Sequence, residues 1–592
     1  MKNMKKIIIS CLSLILLMCN AYGSLNAMSY TYDFWKNIIP STEGLAYRET
    51  YYSNSITDIN GEKSNISFNN LIDFSVYDGK IFVLDNRKTY DTVLKFADTS
   101  TSVAGVSSVI VLNQSFQYLS QINEFRMTPE VQAKLENYYK FSTPVNKITA
   151  EQYTAAEVGD RAPYGPSSAD PNVPVLRLNG AEGIEVSKEG IYIADTNNSR
   201  ILKLNSDFVC TEVYLTPEDS TFIQYNFDNI DFENAEDAIV FRPLKVTAVS
   251  SGNIYCVSKD VYEGIIEYAK DGTFNRFLGT NVVVANPLKK FWAKLFSESQ
   301  LSTMKLDLPP MFTNICADEK GFLYATSKPD SEDQKASNVV KAINKSGKDV
   351  LRRNGYVLPD GDVVYLATSQ AQKAVIGPSS IVDVAISSIG NFTIVDSKRG
   401  RIFTYDIEGN LLYIAGDQPG GTGNAGTGGL SNSIVNPVAI GYLYRDAEEA
   451  QEELLLVLDN ISSSIIVYET TEFGETVNTA TYLYQNGMIE EAEQYWRKAS
   501  KMNTNYELAY LGIGKSLLRQ GNYEEAMEYF KMAHNGTYYS KAFSNYRDNV
   551  LKDNFSWIMT VAIIAIVGIF VGKYVSYVKK KRGSLPTQGG DE

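Results

Sequence analysis

Between Leu178 and Leu204 apolar residues alternate with polar ones through Ile184 and Val186. A turn follows at Lys188-Glu189-Gly190, a second alternating run covers Ile191 to Ala194, and a third begins at Ile201. Period-two alternation broken by tight turns predicts three short antiparallel strands. One such meander cannot bury its own faces, so copies are expected elsewhere in the chain. A turn glycine, an apolar run and then Asp or Ser recur at Asp78–Asp85, Glu189–Asp195, Ser251–Ser258, Lys320–Ser327 and Ile389–Asp396. A sixth copy, Glu452–Asp459, carries Glu in place of the glycine. From Gly190 onward the hairpins lie 62, 69, 69 and 62 positions apart. Near-regular spacing of sheet units predicts a six-bladed β-propeller over residues 61–472. The aromatic-rich arm before it, residues 28–60, is expected to pack on the propeller and lend a strand that closes the ring, because an unclosed ring leaves an exposed sheet edge.

After Thr470 the period lengthens. Gly487, Ala492, Trp496 and Ala499 recur as Gly521, Ala526, Phe530 and Ala533, each 34 residues later. Small residues where helices cross and large ones between them predict a short α-helical repeat domain over 473–552, ending in a capping helix over Tyr538–Leu551. Phe555–Gly572 is eighteen residues without a charge, about 27 Å as a helix at ~1.5 Å per residue. It predicts one transmembrane helix, 555–578. The cluster Lys579-Lys580-Lys581-Arg582 then places the tail, 579–592, in the cytoplasm and everything before the span outside. At the other end, three lysines in Met1–Lys6, an uncharged run Ile7–Cys19 and small residues at Ala21, Gly23 and Ala27 read as a secretory signal peptide, 1–27. The fold class expected is mainly β: a six-bladed propeller, a short helical repeat domain and a single membrane pass.

Between Ser29 and Gly572 there are 47 basic and 67 acidic residues, a net charge of −20. So acidic a body excludes nucleic acid and an anionic lipid face as partners. The 39 tyrosines suit sugar or protein recognition, or serve simply as strand formers. The sole histidine, His534, lies outside the propeller, which removes histidine triads, zinc sites and general bases from it. Cys210, Cys256 and Cys316 fall in three different blades with no repeated spacing, as expected of buried free thiols rather than a disulfide framework. Gly416–Gly429 lacks the Gly-Lys-Ser/Thr ending of a phosphate loop and reads as an inter-blade connection. The insertion 86–178, with a helical pattern over Pro129–Phe141, and an amphipathic helix over 286–306 either bind a ligand or cover blade faces.

Aligning the blades on their hairpins puts Asp73, Glu182, Lys245, Asn314, Asp383 and Asn436 at or within one residue of one position, at the head of the inner strand where a central funnel opens. These are the candidate ligand-binding residues. Glu182 and Asn436 stand one residue out of register with Asn314 and Asp383, which reverses side-chain direction on a strand. Asp195 with Arg200, and Asp396 with Arg401, are expected to pair within their blades and fix a loop. In the helical domain Tyr482, Tyr510 and Lys515 are the candidates for partner binding.

The Ile-Tyr-Ile-Ala-Asp195 run, the two Asp-x4-Arg pairs and Asn436-Pro437 resemble NHL-repeat propellers over roughly residues 60–470, and the 34-residue pattern resembles tetratricopeptide repeats over Thr476–Asn535. The whole resembles a family of surface-anchored bacterial proteins often labelled gluconolactonase-like, which accompany carbohydrate transporters. Resemblance to six-bladed lactonases implies calcium held by Glu182, Asn314, Asp383 and Asn436, and a hydrolytic activity. The residues themselves favour a non-enzymatic binding or scaffold protein without a cofactor. Its propeller would hold a carbohydrate or protein, and its repeats would dock a membrane protein such as a transporter component. A calcium-dependent hydrolase and a purely structural stalk are the alternatives.

Overall fold

The computed structural model describes residues 29–86, 106–141, 164–167, 170, 172–219, 221–222, 241–280, 310–328, 338–363, 378–416, 434–446 and 451–582. The expected signal peptide, the amphipathic helix over 286–306, the glycine-rich run beyond Gly416 and the tail after Arg582 lie outside these residues. The chain falls into two compact units, Met1–Asn478 and Thr479–Glu592.

The first unit is a six-bladed propeller. Its inner strands are Leu71–Tyr77, Gly183–Ser187, Pro243–Ala248, Met311–Ala317, Ile381–Ile386 and Pro437–Asp446. Each neighbours the next and the last neighbours the first, so the ring closes. Within a blade successive strands pair antiparallel, four per sheet in most blades and three in the fourth blade among the described residues. The sixth blade takes its outermost strand from the start of the chain: Leu45–Tyr52 pairs with Ser464–Thr470, with Tyr52 opposite Ser464 and Leu45 opposite Thr470. Joining the first and last strands of the ring in one sheet leaves no gap through which it could open.

Every blade has a neighbour on both faces, so alternation gives way to continuous burial. The second strands Ile254–Ser258 and Phe392–Asp396 are buried at every residue, as strands covered on both sides are. The core therefore lies between blades, as where Phe82, Leu84 and Val109 of the first meet Ile184, Val186 and Ile193 of the second.

In five blades the Asp or Ser near the end of the second strand has one recurring task, while Ser327 of the fourth donates its hydroxyl to Val339 O at 3.2 Å instead. Asp85 accepts the N–H groups of Asn69 (2.9 Å) and Asn70 (2.7 Å), Asp195 that of Asn179 (2.8 Å), and Asp396 that of Ser380 (2.9 Å). Asp459 accepts those of Val435 (2.6 Å) and Asn436 (2.8 Å), and Ser258 Oγ that of Arg242 (3.0 Å). Each pins the chain as it enters its own blade and satisfies amides that no ladder reaches.

The two Asp-x4-Arg pairs differ. Asp195 and Arg200 meet at 2.8 Å, both fully buried. Asp396 instead takes Arg399 at 3.3 Å, while Arg401 turns to Asp362, a residue far from it in sequence. Asp362 also faces Arg399 at 3.5 Å and accepts the hydroxyls of Tyr30 (3.0 Å) and Tyr32. Both tyrosines belong to the strand Ser29–Tyr32, so this buried cluster fastens the arm to the fifth blade. Helix Pro129–Phe141 covers the outer strand of the second blade, Cys210–Tyr214, with Lys134 2.7 Å from Glu212.

Helices follow over Glu472–Gln485, Ile489–Met502, Glu507–Gln520, Tyr523–Met532, Gly536–Asp553 and Phe555–Arg582. In the second unit Ala492, Trp496, Ala499, Ala526 and Phe530 are buried. Gly487 and Gly521, with φ of 81° and 85°, take the left-handed conformation that ends a helix. A Cβ at Gly512 would lie 2.5 Å from the Trp496 ring. Gly512→Val is therefore expected to destabilise the helical unit by about 1–3 kcal/mol, seen as a lower melting temperature by far-UV circular dichroism. Gly536→Ala, which meets open space, is the matched control. Equal melting of the two variants would contradict this crossing.

The last helix has 28 residues and a mean hydropathy of 2.4 in its most apolar window, none of it buried. By length and composition it could span a membrane.

Candidate functional site

Five of the six inner strands carry a β-bulge at the head, the extra residues being Ile72, Leu244, Thr313, Val382 and Val438. The second blade has none, and Gly183 there pairs directly with Ala194. A bulge absorbs one residue and re-aims those after it. Counted through the bulges, the residues at one level of the ring are Asp73, Gly183, Lys245, Asn314, Asp383 and Ala439. Glu182 and Asn436, expected in this ring, fall outside it. Glu182 is exposed just before its strand, and Asn436 sits at the strand entrance, its N–H held by Asp459.

The polar members of the ring bind their neighbours. Asp73 Oδ2 accepts the N–H of Ile184 at 2.9 Å and lies 2.8 Å from Lys245 Nζ. Asp383 Oδ2 accepts the N–H of Ile440 at 2.7 Å, while its Oδ1 accepts from Val384 N at 2.6 Å and from the Asn314 side-chain amide. Asn314 Oδ1 in turn accepts from Ile315 N at 2.6 Å. Ile184 and Ile440 each follow the ring residue of their own blade, so one geometry is used twice. An acid of one blade clamps the inner strand of the next, holding a buried amide that would otherwise lack an acceptor. Gly183 has to be glycine, since a Cβ would stand 2.5 Å from Leu244 O of the third blade.

Two residues further along the strands a second layer holds Ser75, Glu185, Thr247, Cys316, Ala385 and Gly441. Ser75 Oγ accepts from Val186 N at 2.9 Å and lies 3.5 Å from Glu185 Oε2. Burial pushes the half-buried Glu185 carboxyl up to about 8, with repulsion from Asp73 adding to it. Burial also raises Asp383, to about 7, against the pull of Lys245 and with the push of Asp73. Glu185 was not among the residues expected from sequence. Its signal was a lone charge between Ile184 and Val186 on an otherwise apolar strand. Burial raises the Cys316 thiol as well.

The set does not fit the calcium site that the lactonase resemblance implies. Glu182 and Asn436 lie off the ring, Asn314 and Asp383 are bonded to each other, and Lys245 adds a cation where an oxygen cage needs only acceptors. Among the described residues no three His, Cys, Asp or Glu side chains gather at metal-binding spacing.

In the second unit Lys515 is only 8% exposed. Its ammonium lies over the rings of Tyr484 (5.4 Å) and Tyr538 (5.0 Å), where cation–π attraction bolts helices together. Tyr510 donates to Thr504 O at 2.9 Å, and Tyr482 is exposed. Of the three partner-binding candidates, Tyr482 offers the most open surface.

No family model matches the sequence, and no curated protein matches it significantly. Among solved structures the chain is similar to virginiamycin B lyase from Staphylococcus aureus, at 10% identity over 68% of this chain and 96% of that one, with a TM-score of 0.32. It is also similar to the Malassezia sympodialis allergen Mala s 1, at 11% identity over 67% and 91%, with a TM-score of 0.32. The six-bladed assignment rests on the sheet order and ring closure, and these likenesses carry no chemistry across.

Proposed function

We propose that this chain is a membrane-anchored binding or scaffold protein. An NHL-type propeller stands outside the cell and holds a carbohydrate or protein, tetratricopeptide-type repeats dock a membrane protein such as a transporter component, and the last helix crosses the membrane with its basic end in the cytoplasm. The observation that carries this reading is the use made of the ring. Asp73, Asn314 and Asp383 spend their oxygens on backbone amides and on each other, so the funnel head is built to hold blades together rather than to gather ligands for a catalytic metal. The long connections point the same way. The links from Asn86 to Val106, Tyr214 to Pro243 and Leu278 to Met311 all join strands at the funnel-head end, whereas hairpins at the opposite end, such as Ser187–Gly190, are tight. Recognition concentrates on long loops borne by a rigid scaffold.

Protease added to intact cells is expected to remove the propeller while sparing a C-terminal tag. Full-length protein in mild detergent is expected to co-purify with a membrane protein, and Tyr482→Ala is expected to weaken that capture. Protection of the propeller in intact cells would refute the topology. Lactone hydrolysis by the purified chain, abolished in Asp383→Ala, would refute the binding role.

A further inference from the structure

We propose that Lys245 and Asp73 become joined by an amide bond, a covalent strut between the third and first blades across the head of the propeller channel. Lys245 Nζ lies 2.8 Å from Asp73 Oδ2. The nitrogen is shut off from solvent and has no partner in hydrogen-bond geometry, while the carboxyl group it would attack stands within ion-pair distance. The second blade, between them, contributes Gly183 at this level, which leaves the lysine a path over it. Holding amine and acid in contact makes the condensation intramolecular.

The surroundings supply the remaining parts. The Ile184 N–H, 2.9 Å from Asp73 Oδ2, is a fixed donor on the oxygen that gains charge during attack. Glu185, the next residue in the chain, is near enough to Asp73 for the two carboxyls to repel, and burial keeps it in the acid form. The proton count closes. The Lys245 ammonium passes one proton to the Asp73 carboxylate, and the neutral amine adds to Cγ, forming the N–C bond and an oxyanion beside the Ile184 N–H. Glu185 protonates the departing hydroxyl, the C–O bond breaks and water leaves. The Glu185 carboxylate then recovers its proton from the nitrogen, leaving a neutral amide. Nothing is oxidised or reduced.

The related clamp in the fifth blade shows why only one strut forms. Asp383 has the same backbone donor, Ile440 N at 2.7 Å, but it faces the side-chain amide of Asn314, whose nitrogen is not nucleophilic.

Intact-mass spectrometry of the full-length protein, extracted in detergent, tests the strut directly. Wild type is expected one water lighter than its sequence requires, counted from the same N-terminal residue. Lys245→Arg and Asp73→Ala are expected at their full sequence masses, and digestion of wild type is expected to yield a branched peptide joining positions 73 and 245. Lys245→Arg keeps a cation beside Asp73 and so carries the test alone if Asp73→Ala fails to fold. Wild type at its full sequence mass would overturn the proposal, and so would a loss of water that persists in Lys245→Arg.

Discussion

Asp362→Ala is expected to destabilise the propeller by about 3–5 kcal/mol, the cost of leaving buried charges without their partner. The side chains of Asp362, Asp396, Arg399 and Arg401 are all nearly or fully buried, and as two acids and two arginines they balance. Removing Asp362 leaves two guanidinium groups facing one carboxylate. It also takes the acceptor from the hydroxyls of Tyr30 and Tyr32, residues that are 4% and 1% exposed. The effect should therefore be both global and local. The melting temperature of the full chain falls, and limited proteolysis cuts the arm near the exposed Phe34 and Trp35 before it cuts the blades. Tyr32→Phe removes one hydroxyl and leaves the charges balanced, so its cost should be nearer ~1 kcal/mol. An Asp362→Ala protein that melts with wild type would show that the cluster does not hold the arm.

How much of this was legible in the sequence follows from the range over which each feature is encoded. The blades are local: a turn glycine, an apolar run and a terminal Asp or Ser lie within about eight residues, and the Asp is repeated because each blade needs its entrance pinned. The 34-residue helical period is local in the same sense, with Gly487 and Gly521 marking helix ends and Trp496 and Phe530 filling the space between helices. The ring was legible in part. Counting back from the hairpin glycines brought Asp73, Lys245, Asn314 and Asp383 to its level, but Glu182 stands one residue before Gly183, the true member in the second blade. In the sixth blade Glu452 replaces the hairpin glycine and the inner strand runs over Pro437–Asp446, so the count had no fixed start and stopped at Asn436 instead of Ala439. Pairings across blades were hidden. Nothing near Arg401 points to Asp362 when Asp396 stands five residues away, and nothing near Lys515 announces that Tyr484 and Tyr538 close over it. The acid with the largest consequence for pH, Glu185, looked like the polar half of an ordinary alternation, because burial between two neighbouring blades appears only once the ring is closed.

That burial fixes the direction of a pH dependence. Glu185 and Asp383 are carboxyls raised in the folded protein, to about 8 and about 7, so the folded state holds protons that the unfolded chain releases at a lower pH. Their contribution is complete below the ordinary carboxylate range and is lost as pH rises through it toward 8. Stability should therefore decline between about pH 5 and pH 8, where many proteins are near their maximum. For Glu185 alone the shift from 4.5 to about 8 corresponds to a loss on the order of 4 kcal/mol across that interval. Burial is the larger cause and Asp73 the smaller, so the decline persists even where Asp73 is consumed in an amide. Glu185→Gln keeps the shape and removes the titration. Urea midpoints of the full chain measured at pH 5 and pH 8.5 should differ much less in this variant than in wild type, with the variant gaining most on the alkaline side. A wild-type midpoint that rises over the interval, or a variant with an undiminished slope, would mean that the second layer is open to water and that the channel does not confine its acids.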